Sequence, residues 1–393
     1  MNFAPLDKSA RATWRELLTP PSPARAAAVV LLCLFSLLAL CCCEIPLICF
    51  LYLICAAAFY YYLTHSVFAV ILIALPGLLL YSLSGFLPVV SANPLLLPTA
   101  YAALLLGSVC SAFLIIHNAK RAYLLLVIPV IPAGLCVLLT GSFARAIVVL
   151  IPVALACAIA SSVLNCRAQT PSLVLSTAVL AACGIAAWLV LFYLKGWSDP
   201  NPVLAFVEEF RQGYVGLYEE LLKPYAEQGI LIGISEDALQ NAAVLIGNIL
   251  PGLYLALCAV FSFGAWRMML RLLQAFDSLP RMPLRIAVLT VSPMAAVLFA
   301  LSYLAALMAN SAEPTLFGTV CLNLALILTP ALALVGISSL MPHGKQRSCL
   351  SSLLAFALIA ALWVRPDLSL IISAYIGSFH ILASRFFHSK GEK

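Results

Sequence analysis

Of the 393 residues, 64% are apolar and 9% are charged, with 21 Lys+Arg against 15 Asp+Glu and a mean hydropathy of +1.10. Soluble domains carry about 25% charged residues, so a soluble enzyme and a disordered chain are excluded. The net charge of +6 lies between apolar runs and builds no groove-sized patch, which excludes nucleic acid as a partner. Composition leaves an all-α fold, a polytopic transmembrane helical bundle whose first partner is the lipid bilayer.

Residues 1–25 read as a basic cytoplasmic lead, with Lys8, Arg11, Arg15 and Arg25 around Trp14, Leu17 and Leu18. Such a short amphipathic stretch suits an anionic lipid surface. The apolar run 26–43 ends in Glu44-Ile45-Pro46 instead of small residues, so a retained first span is expected, not a cleaved signal.

A hydrocarbon core about 30 Å thick takes about 20 apolar helical residues. By that measure the N-terminal membrane half, 26–194, holds the candidate spans 26–43, 46–64, 66–86, 99–117, 122–140, 146–164 and 171–194. The C-terminal half, 242–384, holds 242–266, 286–308, 316–341, 349–364 and 368–384, before a tail at 385–393. Short and closely joined runs at both ends put the expectation at about ten to twelve spans. The dyad alternation of a membrane β-barrel is absent.

Between the halves, 195–241 breaks the pattern. It concentrates Asp199, Glu208, Glu209, Glu219, Glu220, Glu227, Glu236 and Asp237 against Lys195, Arg211 and Lys223. Within it Val203, Phe206, Val207, Phe210, Tyr214, Leu217, Tyr218 and Leu221 recur at helical spacing. An external acidic amphipathic helix is expected, stopped by Pro224, with Ser235 capping the next helix. Such a segment serves as a connector in the headgroup layer or as a lid over an outward-facing pocket.

With the N-terminus inside, the outer side receives only Arg145, Lys195, Arg211, Lys223 and Arg365 of the basic residues, while most acids fall outside. The positive-inside rule then places both termini in the cytoplasm of a multi-pass plasma-membrane protein. In that orientation Trp197 and Trp363 lie at the outer boundary, Trp266 at the inner one, and Tyr60, Tyr61 and Tyr62 form part of an inner aromatic belt.

Chemical motifs are sparse. No GxxxxGK[ST] loop, HExxH or GxSxG pattern occurs, so neither a cofactor nor a hydrolytic role is expected, and the protein reads as a non-enzyme. The 14 cysteines fall mostly inside apolar runs, as small hydrophobes. Cys41-Cys42-Cys43 are about 100° apart around a helix and do not converge on one metal ion.

Polar residues within spans carry the functional expectation, because burying them in lipid is costly. Asn241 and Asn248 are seven apart and share one helix face; Asn323, Arg145 and Glu44 fall at similar depth in the outer third. These five are the candidate substrate-binding residues. Ordinary interhelical hydrogen bonding is the competing account of each. Prolines at 76, 129, 132, 152, 251, 293 and 330 would free backbone carbonyls inside spans, as transporters do around substrates.

The stretch Asn248-Ile249-Leu250-Pro251-Gly252, through Trp266, Arg267, Arg271 and Leu272 to Leu279-Pro280-Arg281-Met282-Pro283, resembles the YybS-like family of predicted bacterial membrane proteins. The likeness covers roughly residues 26–340. The N-terminal half of that family is similar to the substrate-capture subunits of energy-coupling-factor vitamin transporters. The resemblance implies an outward-opening small-molecule site and partner transporter subunits, but no catalytic residues. The longer C-terminal half departs from the capture-subunit plan.

The expected function is therefore transport-type capture of a small-molecule ligand from the outer side. The alternative is a non-transporting membrane scaffold or envelope assembly factor, with the acidic helix recruiting envelope proteins. A membrane enzyme acting on lipid-linked substrates is disfavoured for want of an acid/base pair.

Overall fold

The computed structural model describes residues 22–41, 46–65, 95–118, 123–141, 143–194, 236–276, 289–309, 315–340 and 366–388, with scattered positions between 201 and 219 and at 357. Every element assigned among them is an α-helix: α1 Pro23–Cys41, α2 Pro46–Thr64, α3 Leu96–His117, α4 Tyr123–Thr140, α5 Phe143–Val148, α6 Leu150–Leu164, α7 Gln169–Leu194, α8 Glu236–Ala275, α9 Pro293–Ala309, α10 Leu316–Leu340 and α11 Pro366–His388. Seven helices among the described residues are long and apolar enough to cross a bilayer, and α9 and α11 add shorter apolar stretches. Large apolar side chains such as Leu31, Leu138, Val174, Met294, Leu316 and Phe379 point outward, as in a protein solvated by lipid. This is an integral membrane protein of the all-α class. The candidate span 66–86, and nearly all of 349–364, lie outside the described residues.

The chain divides into two compact units. The first comprises 1–202 and 261–288, the second 203–260 and 289–393, so α8 contributes residues to both.

In the first unit α3 is apolar on every face and accordingly buried on nearly all of them, packed by α1, α2 and α6. Gly107 marks a close approach: a Cβ there would stand 2.9 Å from Leu37 Cδ2. Buried polar groups pair across the helices. The Tyr52 hydroxyl donates to Ser36 Oγ at 3.0 Å, and Cys33 Sγ and Ser111 Oγ share a bond of 3.2 Å. Residues 261–276 of α8 and its end join this core, where Phe113 packs on Phe276 at 4.9 Å and Arg25 lies 5.6 Å over the Phe276 ring.

Two aromatic assignments change here. Trp266 is fully buried within the packed unit, so its indole does not face lipid as a belt residue's would. Arg267 does not end the helix; its guanidinium lies 5.9 Å over the Phe263 ring, one turn back, so the charge is tolerated inside the helix. The three consecutive tyrosines are split by helix geometry. Tyr60 is buried and donates to the Met268 carbonyl at 2.9 Å, while Tyr61 and Tyr62 are exposed.

Proline position matters more than proline presence. Pro152 falls in the first turn of α6, and the chain breaks at Val149 just ahead of it, so the run 146–164 is divided between α5 and α6. Pro293 is the first residue of α9 and not an interior kink, because a missing N–H costs nothing at that position. Pro251 and Pro330 do lie inside α8 and α10.

In the second unit α9, α10 and α11 pack around Ala296, Phe299, Ala325, Leu332, Ala333 and Ala374. Phe299, Tyr303 and Tyr375 form an aromatic triangle with centroids 5.2 to 6.1 Å apart. Helices α10 and α11 touch backbone to backbone at Gly336 and Gly377, where any Cβ would overlap the carbonyls of Ser373 and Leu332. Without a hydrophobic drive between helices in lipid, such close van der Waals contact is what holds a pair together.

Candidate functional site

The polar site of the second unit grows from Pro251. Proline has no N–H, so the Gly247 carbonyl one turn earlier loses its helical donor, and the pyrrolidine ring crowds that carbonyl. In an unbroken helix the next bond would run from the Gly252 N–H to the Asn248 carbonyl. Here the side chain of Asn323, from α10, occupies that gap. Gly252 N–H donates to Asn323 Oδ1 at 2.6 Å, and Asn323 Nδ2 donates to the Asn248 carbonyl at 2.9 Å. A carboxamide has the donor and acceptor of a peptide group, so it replaces the missing rung. Its second N–H donates to the Thr319 carbonyl at 3.0 Å within α10. Glycine at 252 permits this approach, since a Cβ there would stand 2.9 Å from the Asn323 Cα.

One turn back, a cation meets the same helix. Residues 204, 205, 207, 208, 211–213, 215, 216 and 219 are helical, and Val207, Arg211 and Val215 are half-buried on one face while Leu204, Glu208 and Gln212 are exposed. The Arg211 guanidinium lies against Gly247, a position where any Cβ would collide with it, and Nη2 donates to Asn248 Oδ1 at 3.0 Å. Glu208 Oε2 stands 3.6 Å from Arg211 Nη1, beyond hydrogen-bond length, while the other carboxylate oxygen, Oε1, accepts from Gln212 Nε2 at 3.3 Å. Arg211 Nε and Thr319 Oγ1 are buried with no hydrogen-bond partner. The resulting group is a guanidinium and a primary amide whose Oδ1 it holds, assembled one turn before Pro251.

Of the five candidates from sequence, Asn248 and Asn323 are brought together in this way. Asn241 is exposed, two turns earlier on α8. Arg145 belongs to α5 of the first unit and its side chain lies outside the described residues, as does Glu44. Arg211 was not among the candidates, because a cation in an acidic external segment reads as solvated charge. Its signal is its spacing: it lies four residues from Val207 and from Val215, which are half-buried like it, while Glu208 three residues before it is exposed.

Compared with family models, with curated proteins and with solved structures, the chain matches none.

Proposed function

We propose that this integral membrane protein is of the transport type and captures a small molecule from the outer side of the plasma membrane, with both termini cytoplasmic. The observation that carries the reading is the polar group at Pro251, inside α8. There the backbone bonds a side chain from another helix and is faced by a cation from the acidic segment. Transporters place substrates where proline-disturbed helices make backbone groups and charged side chains available together. The resemblance to YybS-like proteins, and through them to substrate-capture subunits, favours the same reading and adds partner transporter subunits as the source of energy.

A second reading has its own observation. Asn323 commits both its N–H groups and its oxygen to backbone partners, as an interhelical tie in a membrane scaffold or envelope assembly factor would. Purification from native membranes, with mass spectrometry of co-purifying small molecules and proteins, separates the two. A retained small molecule, lost in Asn248→Leu, supports capture. Envelope proteins without any retained molecule support the scaffold and remove the capture reading.

A further inference from the structure

Resting on the capture reading above, we infer that the captured group is an anion, a carboxylate or phosphate, received by the Arg211 guanidinium where it lies against Gly247 and Asn248, one turn before Pro251 of α8. Among the described residues the charge of Arg211 is weakly compensated. Its side chain is 27% exposed, and among the described residues its anionic neighbour is Glu208, 57% exposed and at 3.6 Å. That separation gives a weak, screened pair, whereas carboxylates and phosphates engage a guanidinium in two short parallel bonds. The seat is built to hold the cation in place. Gly247 has no side chain to obstruct it, and Asn248 Oδ1 accepts from Nη2, while Nη1 faces Glu208 Oε2 at 3.6 Å, beyond hydrogen-bond length.

Two further donors of this unit are unpaired. Nε is buried without a partner, and an orphaned donor on a charged group costs more than one on a neutral group. The Thr319 hydroxyl, on the residue whose carbonyl takes Asn323 Nδ2, is also buried and unpaired. A neutral occupant would leave the guanidinium uncompensated, and a cation would be repelled. An anion answers both the charge and the excess of donors. It comes either from solution or from the headgroup of an anionic lipid, and the chemistry of recognition is shared.

The test uses the full-length protein in a neutral detergent, with thermal unfolding followed at constant ionic strength. Sodium acetate and inorganic phosphate are compared with chloride, and dihexanoyl phosphatidylglycerol with the phosphatidylcholine of equal chain length. At least one anion is expected to raise Tm. Arg211→Gln should bind that anion at least tenfold more weakly, the scale of losing a charge-assisted hydrogen bond. Glu208→Gln should bind it about two- to fivefold more tightly, because the competing carboxylate is gone. The Glu208 variant alters an exposed side chain and gains affinity, so it carries the test even where Arg211→Gln does not fold. A response to acetate or phosphate identifies a soluble anion, and a response to phosphatidylglycerol alone identifies a lipid headgroup; both uphold the inference. No anion response, or an unchanged or weaker one in Glu208→Gln, overturns it. A co-purified molecule that is neutral or cationic and survives in Arg211→Gln overturns the anion while capture stands. No retained molecule together with no anion response removes both.

Discussion

Asn323→Leu tests whether a side chain really completes the backbone of α8. The substitution removes two bonds between helices, Gly252 N–H to Oδ1 at 2.6 Å and Nδ2 to the Asn248 carbonyl at 2.9 Å. Hydrogen bonds between membrane helices average about 0.6 kcal/mol, so the pair contributes about 1.2 kcal/mol by that measure. Leucine also leaves a backbone N–H and a C=O unpaired in an apolar setting, at about 1–3 kcal/mol each if neither finds a new partner. The two orphaned groups belong to one turn and would pair with each other if α8 straightened. Pro251 opposes that straightening. A loss of about 2 kcal/mol is therefore expected, between full relaxation and none.

Unfolding by SDS in mixed micelles, followed by circular dichroism, measures this loss. The diagnostic quantity is its dependence on Pro251. With Pro251→Ala the N–H returns and the turn can close without help, so Asn323→Leu should cost less in that background, by at least about 0.5 kcal/mol. Equal costs in both backgrounds would refute the replacement of a helical rung. So would a cost below about 0.5 kcal/mol in the parent protein.

Three other outcomes are expected. Tyr60→Phe should lower stability by about 1 kcal/mol by deleting its bond to Met268, while Tyr61→Phe and Tyr62→Phe stay within about 0.5 kcal/mol in the same titration. Gly377→Ala should cost about 3 kcal/mol or more, above ordinary overpacking, because the obstructing atoms are the backbone of Leu332; a neutral result would deny the close crossing of α10 and α11. Single cysteines at positions 209 and 345 in a cysteine-free background should react with an impermeant maleimide in intact cells at 209 alone, and the reverse pattern would invert the proposed topology.

Helix existence and approximate extent were legible because lipid selects on composition. The runs 46–64 and 316–341 correspond to α2, Pro46–Thr64, and α10, Leu316–Leu340. Ends marked by charge were less legible. Arg267 and Arg271 look like the cytoplasmic limit of a span, yet α8 runs through both to Ala275, since a long aliphatic stem and an aromatic partner let arginine stay helical.

Facing was the least legible property, for a physical reason. A helix that is apolar all round has no phase, so α3 gives no hint in sequence of which helices surround it, and the tyrosines at 60 to 62 give no hint of which one turns inward. Polar residues restore phase only when their partners are known. Asn248 and Asn323 could be singled out as costly in lipid, but the agent that joins them is the gap left by Pro251, and a gap has no letter in the sequence. Arg211 extends the same point to charge. Eight acids crowd its segment, and pairing with them is the obvious expectation, yet the guanidinium lies against a glycine of α8, Gly247, and donates to an amide. Among the described residues its carboxylate neighbour is Glu208, exposed and 3.6 Å away, so this weak pair leaves charge on Arg211 available, and that property makes it a candidate for recognising something that arrives from outside the chain.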